Sequence, residues 1–405
     1  MTKNKDVVVP KTVQYVVDGG ALVHRVPWTH QATFADILEA YSSYVVKKYG
    51  NAVIVFDGYR GASTKDMTHR RRTKGKKGPT VSVTKEMRLT VSKDSFLSDL
   101  QNKQHFVELL GQHLENAGCA VFHATSDADV LIVQKAVESA EVQDTVLVGD
   151  DTDLLVLSLH HEKPSQNLYL APQPKRNAKA RIWDIKQVKN DLGPFIRKHI
   201  LFLHVFLGCD TTSRILGIGK GTILKKFKGN FALTQAANVF DSPTSNQAEI
   251  ATAGEKAFVA LYNGKAKDSL NTLRFSRYCE KVAKNLNKVE PRSLPPTSAA
   301  AKFHSYRVFL QVCQWKNHQC DLQADSWGWT HSDMGYFPIP TDLAPAPADL
   351  LKIIRCNCTT DCSSSRCSCQ KHGMKCSMAC GQCRGTACTN AGIMIEDADD
   401  EQDLE

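Results

Sequence analysis

The chain has 405 residues, enough for two or three domains with a sizeable core. Its 42% hydrophobic and 23% charged residues are ordinary for a globular protein and argue against disorder as the main state. No apolar run reaches the roughly 18 residues of a membrane helix, and the opening MTKNKDVVVPK lacks the apolar stretch of a signal peptide, which argues against secretion.

The net charge of +9 is uneven. Residues 396–405 hold seven acids and no base, so setting them aside raises the remainder from +9 to +16. A body this basic points to a polyanionic partner. The fourteen cysteines are uneven too, nine of them lying between Cys356 and Cys388. Without a secretory signal, such a cluster reads as metal-binding in a reducing compartment rather than as a disulfide framework.

In chain order, β-rich runs at 13–17, 52–56, 120–124 and 145–148 alternate with amphipathic stretches at 34–49, 103–117 and 128–139. This alternation predicts an α/β fold, a mostly parallel sheet with flanking helices, over residues 12–228. Residues 60–103 interrupt it with twelve bases and four acids and read as a mobile basic insertion. The polar stretch 163–181 is predicted as a loop, and the apolar run 200–207 fits a helix as well as a strand. A helical and aromatic extension is expected over 229–337, with Trp327, Trp329 and Tyr336 packing it onto the body. A Pro-rich linker (338–354), a small cysteine-rich domain (355–392) and an acidic, disordered tail (393–405) complete the chain. His123, His160, His161 and His204 read as core or surface residues rather than ligands.

Each apolar run closes on acids. The first ends in Asp18, the second in Asp57, the third runs into Asp127 and Asp129, the fourth into Asp151 and Asp153, and the run 200–207 is followed by Asp210. Strand C-termini of a parallel sheet share one edge, so these seven carboxylates are expected in one crevice. Two carboxylates about 4 Å apart repel by a few kcal/mol at an effective dielectric of about 20, so such a group calls for cations. Hard oxygen ligands suit two Mg²⁺ or Mn²⁺ ions, the pair that activates water for phosphodiester hydrolysis. Farther on, Gly217, Gly219, Lys220 and Gly221 form a glycine-rich turn followed by Lys225, a pattern whose backbone N–H groups and basic helix can meet a phosphate.

These motifs (VVDGG, VFDGY, SDAD, GDDTD and LGCDTTSRILGIGKGT, in that order) resemble the flap-endonuclease/XPG branch of the PIN-like nucleases over about residues 12–228. The resemblance implies that Asp18, Asp57, Asp127 and Asp129 hold one metal. Asp151, Asp153 and Asp210 would hold the other, with Asp129 near both. The family usually carries glutamates where this chain has Asp127 and Asp129, each one methylene shorter. The resemblance also places the 60–103 insertion at the family's helical arch. Arg70, Arg71 and Arg72 would then steer the scissile phosphate, with Lys65 a second candidate, and 211–228 would be a helix-hairpin-helix-like element.

The nine cysteines Cys356, Cys358, Cys362, Cys367, Cys369, Cys376, Cys380, Cys383 and Cys388 follow a C-x-C-x3-C-x4-C-x-C-x6-C-x3-C-x2-C-x4-C pattern. Nine thiolates satisfy about three tetrahedral Zn²⁺ ions if three sulfurs bridge two metals. The pattern resembles the tesmin-type CXC domain, a three-zinc DNA-binding module, with Arg366 in place of the aromatic often found before the fourth cysteine. The combined expectation is a nuclear, divalent-metal-dependent nuclease acting on branched or free-ended DNA, with RNA an open alternative substrate. The rival reading is a DNA-binding or regulatory protein that keeps the nuclease fold without turnover.

Overall fold

The apolar runs of the central strands are buried on both faces. In strand β1 (Gln14–Asp18), Val16 and Val17 are both 0% exposed and belong to different hydrophobic clusters, one on each side of the sheet. The same alternation separates Val55 from Ile54 and Phe56, and Leu147 from Val146 and Val148. Successive side chains of a strand point to opposite faces, so uninterrupted Val, Ile and Leu runs mark strands with helices on either side. The computed structural model describes residues 7, 9–29, 31–58, 63–65, 68, 78–81, 83–172, 182–283, 291–317, 322–332, 335–343, 355–359, 361–376, 380–385 and 388–391.

After β1 come α1 (Gly19–Arg25), α2 (Phe34–Tyr49), β2 (Val53–Phe56), α3 (Lys93–Leu97), α4 (Leu100–Asn116) and β3 (Ala120–His123). Next are α5 (Asp129–Ala140), β4 (Thr145–Val148), α6 (Thr152–His161), β5 (Leu168–Ala171), β6 (Trp183–Asp184) and α7 (Ile185–Lys198). The helices α8 (Ile200–Leu207), α9 (Lys220–Phe227), α10 (Phe231–Asp241), α11 (Gln247–Leu261), α12 (Leu270–Ala283) and α13 (Ser298–Trp315) then precede a hairpin, β7 (Trp329–Ser332) and β8 (Gly335–Pro338). The six-stranded sheet has the order β3-β2-β1-β4-β5-β6, parallel except for β6. The chain departs from β1 toward β2 on one side and β4 on the other, so β1 and β4 flank the point where the strand order reverses, the usual place for a site.

The sheet and flanking helices are as expected, and helix α2 shows why its limits were legible. Thr33 and Asp36 form a reciprocal capping box at its start, and Gly50, at φ +64°, closes it. Two expectations need correction. The 163–181 stretch is not all loop, because Leu168–Ala171 pairs in parallel with β4 and buries Leu168 and Leu170. Nor is the basic insertion mobile throughout. Val83, Leu89, Phe96 and Leu97 are buried against α2 and α4, and Phe96 lies 5.5 Å from the Trp28 ring and 5.3 Å from Phe34. Its apolar residues, diluted among lysines, anchor that half of the segment. The run 200–207 is the helix α8, buried along its whole length.

The units Met1–Pro340 and Thr341–Glu405 are compact separately. Within the first, the helices after α8 are continuous with one face of the sheet: Phe240, Phe258, Phe309 and Trp315 share a cluster with Val16 and Leu147. Trp327 and Trp329 are buried in that cluster and Tyr336 packs against it.

His304 of α13, 5% exposed, bonds to the Phe206 carbonyl of α8 at 2.9 Å. Burial pushes its pKa down to about 3, with Arg307 adding to the effect. A histidine depressed on folding stays neutral in the native state while the unfolded chain takes up the proton. Its contribution is therefore intact above about pH 6.5 and is lost as pH falls toward 3, by about 1.4 kcal/mol per unit. Denaturant titrations of the native chain and His304→Gln between pH 7 and pH 5 should show their stability gap narrowing on acidification. A constant gap would refute the assignment.

Candidate active site and metal centres

Asp18 is at once the last residue of β1 and the N-cap of α1, its Oδ1 accepting a 3.1 Å bond from the Ala21 N–H. Helix α1 can begin there only because residue 19 lacks a side chain. A Cβ on Gly19 would lie 2.3 Å from Phe56 Cδ1 and 2.7 Å from the Val55 carbonyl oxygen. Gly19→Ala should cost about 2 kcal/mol or more by overpacking, read as a lower denaturation midpoint. An unchanged midpoint would show that α1 can shift freely.

A Cβ on Gly20 would stand 3.2 Å from both Asp18 Oδ1 and Asp57 Oδ2, so these carboxylates bracket the start of α1. Asp57 Oδ1 accepts a 3.0 Å bond from the Ala128 N–H, tying the end of β2 to the entry of α5. At that entry Asp127 and Asp129 share one cation: Lys65 Nζ lies 2.7 Å from Asp127 Oδ1 and 2.6 Å from Asp129 Oδ2. Asp151 caps α6 through the Asp153 N–H at 2.9 Å. Asp153 Oδ1 lies 2.6 Å from His204 Nε2, and both residues are buried. The Asp210 backbone carbonyl accepts a 2.6 Å bond from Thr68.

The carboxylates act on one another. Burial, then Asp57 and Asp151, push Asp18 up to about 7. Burial, Asp153 and Asp210 raise Asp151. Burial raises Asp129, with Asp127, Asp151 and Asp153 adding to the effect and Lys65 opposing it. For Asp153 burial is overcome by His204, Lys65 and Lys220, and the carboxyl sits below its usual range. Burial also works against the Lys65 ammonium, yet Asp129 and Asp127 hold its pKa well above the lysine range. All seven expected aspartates therefore belong to one electrostatic group at the carboxyl edge of the sheet. The neighbouring Asp150 pairs with Arg25 at 3.1 Å.

Of the expected nucleic-acid contacts, Lys65 faces the acids. Lys220, at the first turn of α9, feels Asp153 and Asp151, which oppose the lowering of its pKa by partial burial. Gly217 has φ +77°, and a Cβ on Gly217, Gly219 or Gly221 would meet nothing within 4 Å, so this turn is open to solvent. Lys225 is exposed on α9. Arg70, Arg71 and Arg72 lie outside the described residues, as do the acidic tail and most of the Pro-rich linker. His204, read from sequence as core or surface, is buried and also touches the site. Its signal was a lone polar residue interrupting the apolar run 200–207, six positions before Asp210.

In the second unit the hydrophobic cluster of the described residues is made of cysteines, with Cys356, Cys362, Cys367, Cys369, Cys376 and Cys380 buried and Cys358, Cys383 and Cys388 against them. All nine are reduced. Eight of the sulfurs form three groups able to hold a metal, Cys356-Cys362-Cys376-Cys383, Cys356-Cys358-Cys362-Cys367 and Cys356-Cys369-Cys376-Cys380, whereas Cys388, also expected as a ligand, belongs to none of them. Sγ–Sγ distances of 3.5 to 3.9 Å match the edge of about 3.8 Å that a tetrahedral zinc with 2.3 Å bonds requires. Three sulfurs, those of Cys356, Cys362 and Cys376, belong to more than one group. Cys376 also accepts a 3.4 Å contact from the Asn390 side chain. A short helix, α14 (Ser368–Lys371), follows Cys367.

No protein-family model and no curated protein matches this sequence. Among solved structures, the catalytic core of Rad2 in complex with DNA substrate is similar at a TM-score of 0.41 and 13% identity, over 76% of this chain and 80% of that one. The bacteriophage T5 D15 protein co-crystallized with metal ions is similar at 0.37 and 13%, over 75% and 99%. A mutant T5 5′-exonuclease is similar at 0.34 and 12%, over 75% and 98%. At scores this low, the functional reading rests on the chain's own sheet order and carboxylates.

Proposed function

We propose that this protein is a divalent-metal-dependent nuclease of the flap-endonuclease/XPG type that hydrolyses phosphodiester bonds of DNA, with a zinc–thiolate CXC module as a second DNA contact. The observation that carries this reading is the gathering of seven aspartates from five chain segments at one sheet edge. The donor set fits the ions: every candidate ligand is a hard carboxylate oxygen, and Asp127 and Asp129 already accept a cation between them. Asp18, Asp57, Asp127 and Asp129 would hold one Mg²⁺ or Mn²⁺, and Asp151, Asp153 and Asp210 the other. When bound, such a pair of ions activates a water and stabilises the leaving oxygen.

The chain's own residues prepare this site. The Ala21 and Ala128 N–H groups and His204 each anchor one oxygen of Asp18, Asp57 and Asp153. Lys220, at the N-terminus of α9 and close to Asp151 and Asp153, supports a phosphate position on the open glycine turn. In the second unit, three sulfurs shared between four-cysteine groups support a cluster of about three zincs.

The Lys65 ammonium between the two shortened acids favours one second reading, a nuclease-fold DNA-binding or regulatory protein without turnover. Incubation of the full chain with flapped, forked and linear DNA, and with RNA of the same sequences, in Mg²⁺ or Mn²⁺ and in chelator separates the two. Ion-dependent cleavage of branched or free-ended DNA is expected. Binding with no cleavage in either ion would leave the second reading standing.

A further inference from the structure

Lys65 and Thr68 each bond to residues of the acid crevice. Lys65 Nζ bonds to Asp127 and Asp129 on the α5 side, and Thr68 Oγ1 bonds to the Asp210 carbonyl beyond α8. The Lys65 side chain is only 22% exposed, and its carboxylate partners 23% and 12%. Each acid keeps its second oxygen free, but a divalent cation bound to both would stand close beside the ammonium, and the two positive charges would repel.

The geometry points to Lys65 as a built-in counter-ion at Asp127 and Asp129, one whose positive charge opposes divalent-ion binding until it moves aside. This rests on the nuclease reading above. It goes further in making ion uptake and displacement of the Lys65 ammonium one event. With the ammonium in place one of the two negative charges is offset. Ion binding displaces the ammonium and frees a cation at the rim.

The competition makes a signed prediction. Removing the ammonium should tighten divalent-ion binding, because the ion no longer has to break two charge-assisted bonds. A partly buried pair of this kind is expected to weaken uptake by roughly tenfold, equivalent to about 1.4 kcal/mol. Retaining positive charge in a different shape should keep the weaker affinity. The full chain, Lys65→Met and Lys65→Arg are therefore titrated calorimetrically with Mn²⁺ alone, without DNA. Thermal unfolding in chelator is followed alongside to establish that each variant is folded.

The expected result is Mn²⁺ binding about tenfold tighter in Lys65→Met, with Lys65→Arg close to the native chain. The Mn²⁺-induced rise in melting temperature should also be larger in Lys65→Met. Equal or weaker binding by Lys65→Met, or equal tightening in Lys65→Arg, overturns the inference while leaving the nuclease reading intact. Absence of Mn²⁺ uptake by all three proteins overturns both.

Discussion

Asp151→Asn is expected to reduce ion-dependent DNA cleavage by about 10³-fold or more, equivalent to about 4 kcal/mol of lost transition-state stabilisation. The substitution separates chemistry from folding. Asp151 also caps α6 through the Asp153 N–H, and asparagine caps a helix about as well as aspartate does. The amide keeps that hydrogen bond and removes the charge, relieving the repulsion from Asp153 and Asp210 that raises the Asp151 pKa. The variant should therefore unfold at a temperature no lower than the native chain while losing turnover. Cleavage within tenfold of native would remove Asp151 from the ligand set.

Cys356→Ser should have the second large effect, confined to the cysteine unit. Cys356 belongs to all three candidate four-sulfur groups, whereas Cys358 belongs to one. Among the described residues the unit's hydrophobic cluster is built of cysteines, so loss of the metal should remove its main source of stability. Each structural zinc contributes on the order of 10 kcal/mol of apparent binding free energy. Elemental analysis of the purified full chain should find about three zincs in the native protein. It should find at most one in Cys356→Ser, and an intermediate content in Cys358→Ser. Equal zinc in native and Cys356→Ser would rule out a shared sulfur at that position.

The features legible in the sequence are those governed by local chemistry. Apolar runs located four strands to within a residue or so: β1, β2 and β4 bury side chains on both faces, and the edge strand β3 still carries Val121 and Phe122. Aspartates closing those runs followed from the geometry of parallel sheets. Strand β5 was lost because four residues between polar stretches carry too little periodicity, and α1 because Gly19-Gly20 reads as a turn. Only the tertiary contact with Phe56 explains why a glycine opens that helix. Lys65 and His204 lie 62 and 51 positions from Asp127 and Asp153, and no local pattern encodes such pairings. For Lys65 the sequence pointed to a phosphate; the folded chain puts it on carboxylates.

Asp18 is strand terminus and helix cap together, and this bears on how the protein breathes when chelator removes its ions. The Asp18 backbone pairs in parallel with β2, yet its side chain sits among charges that push apart. The sheet should therefore loosen from one end. In chelator, amide hydrogen exchange ought to run faster at the carboxyl tips of β1 and β4 than at their amino ends, and manganese ought to erase the difference.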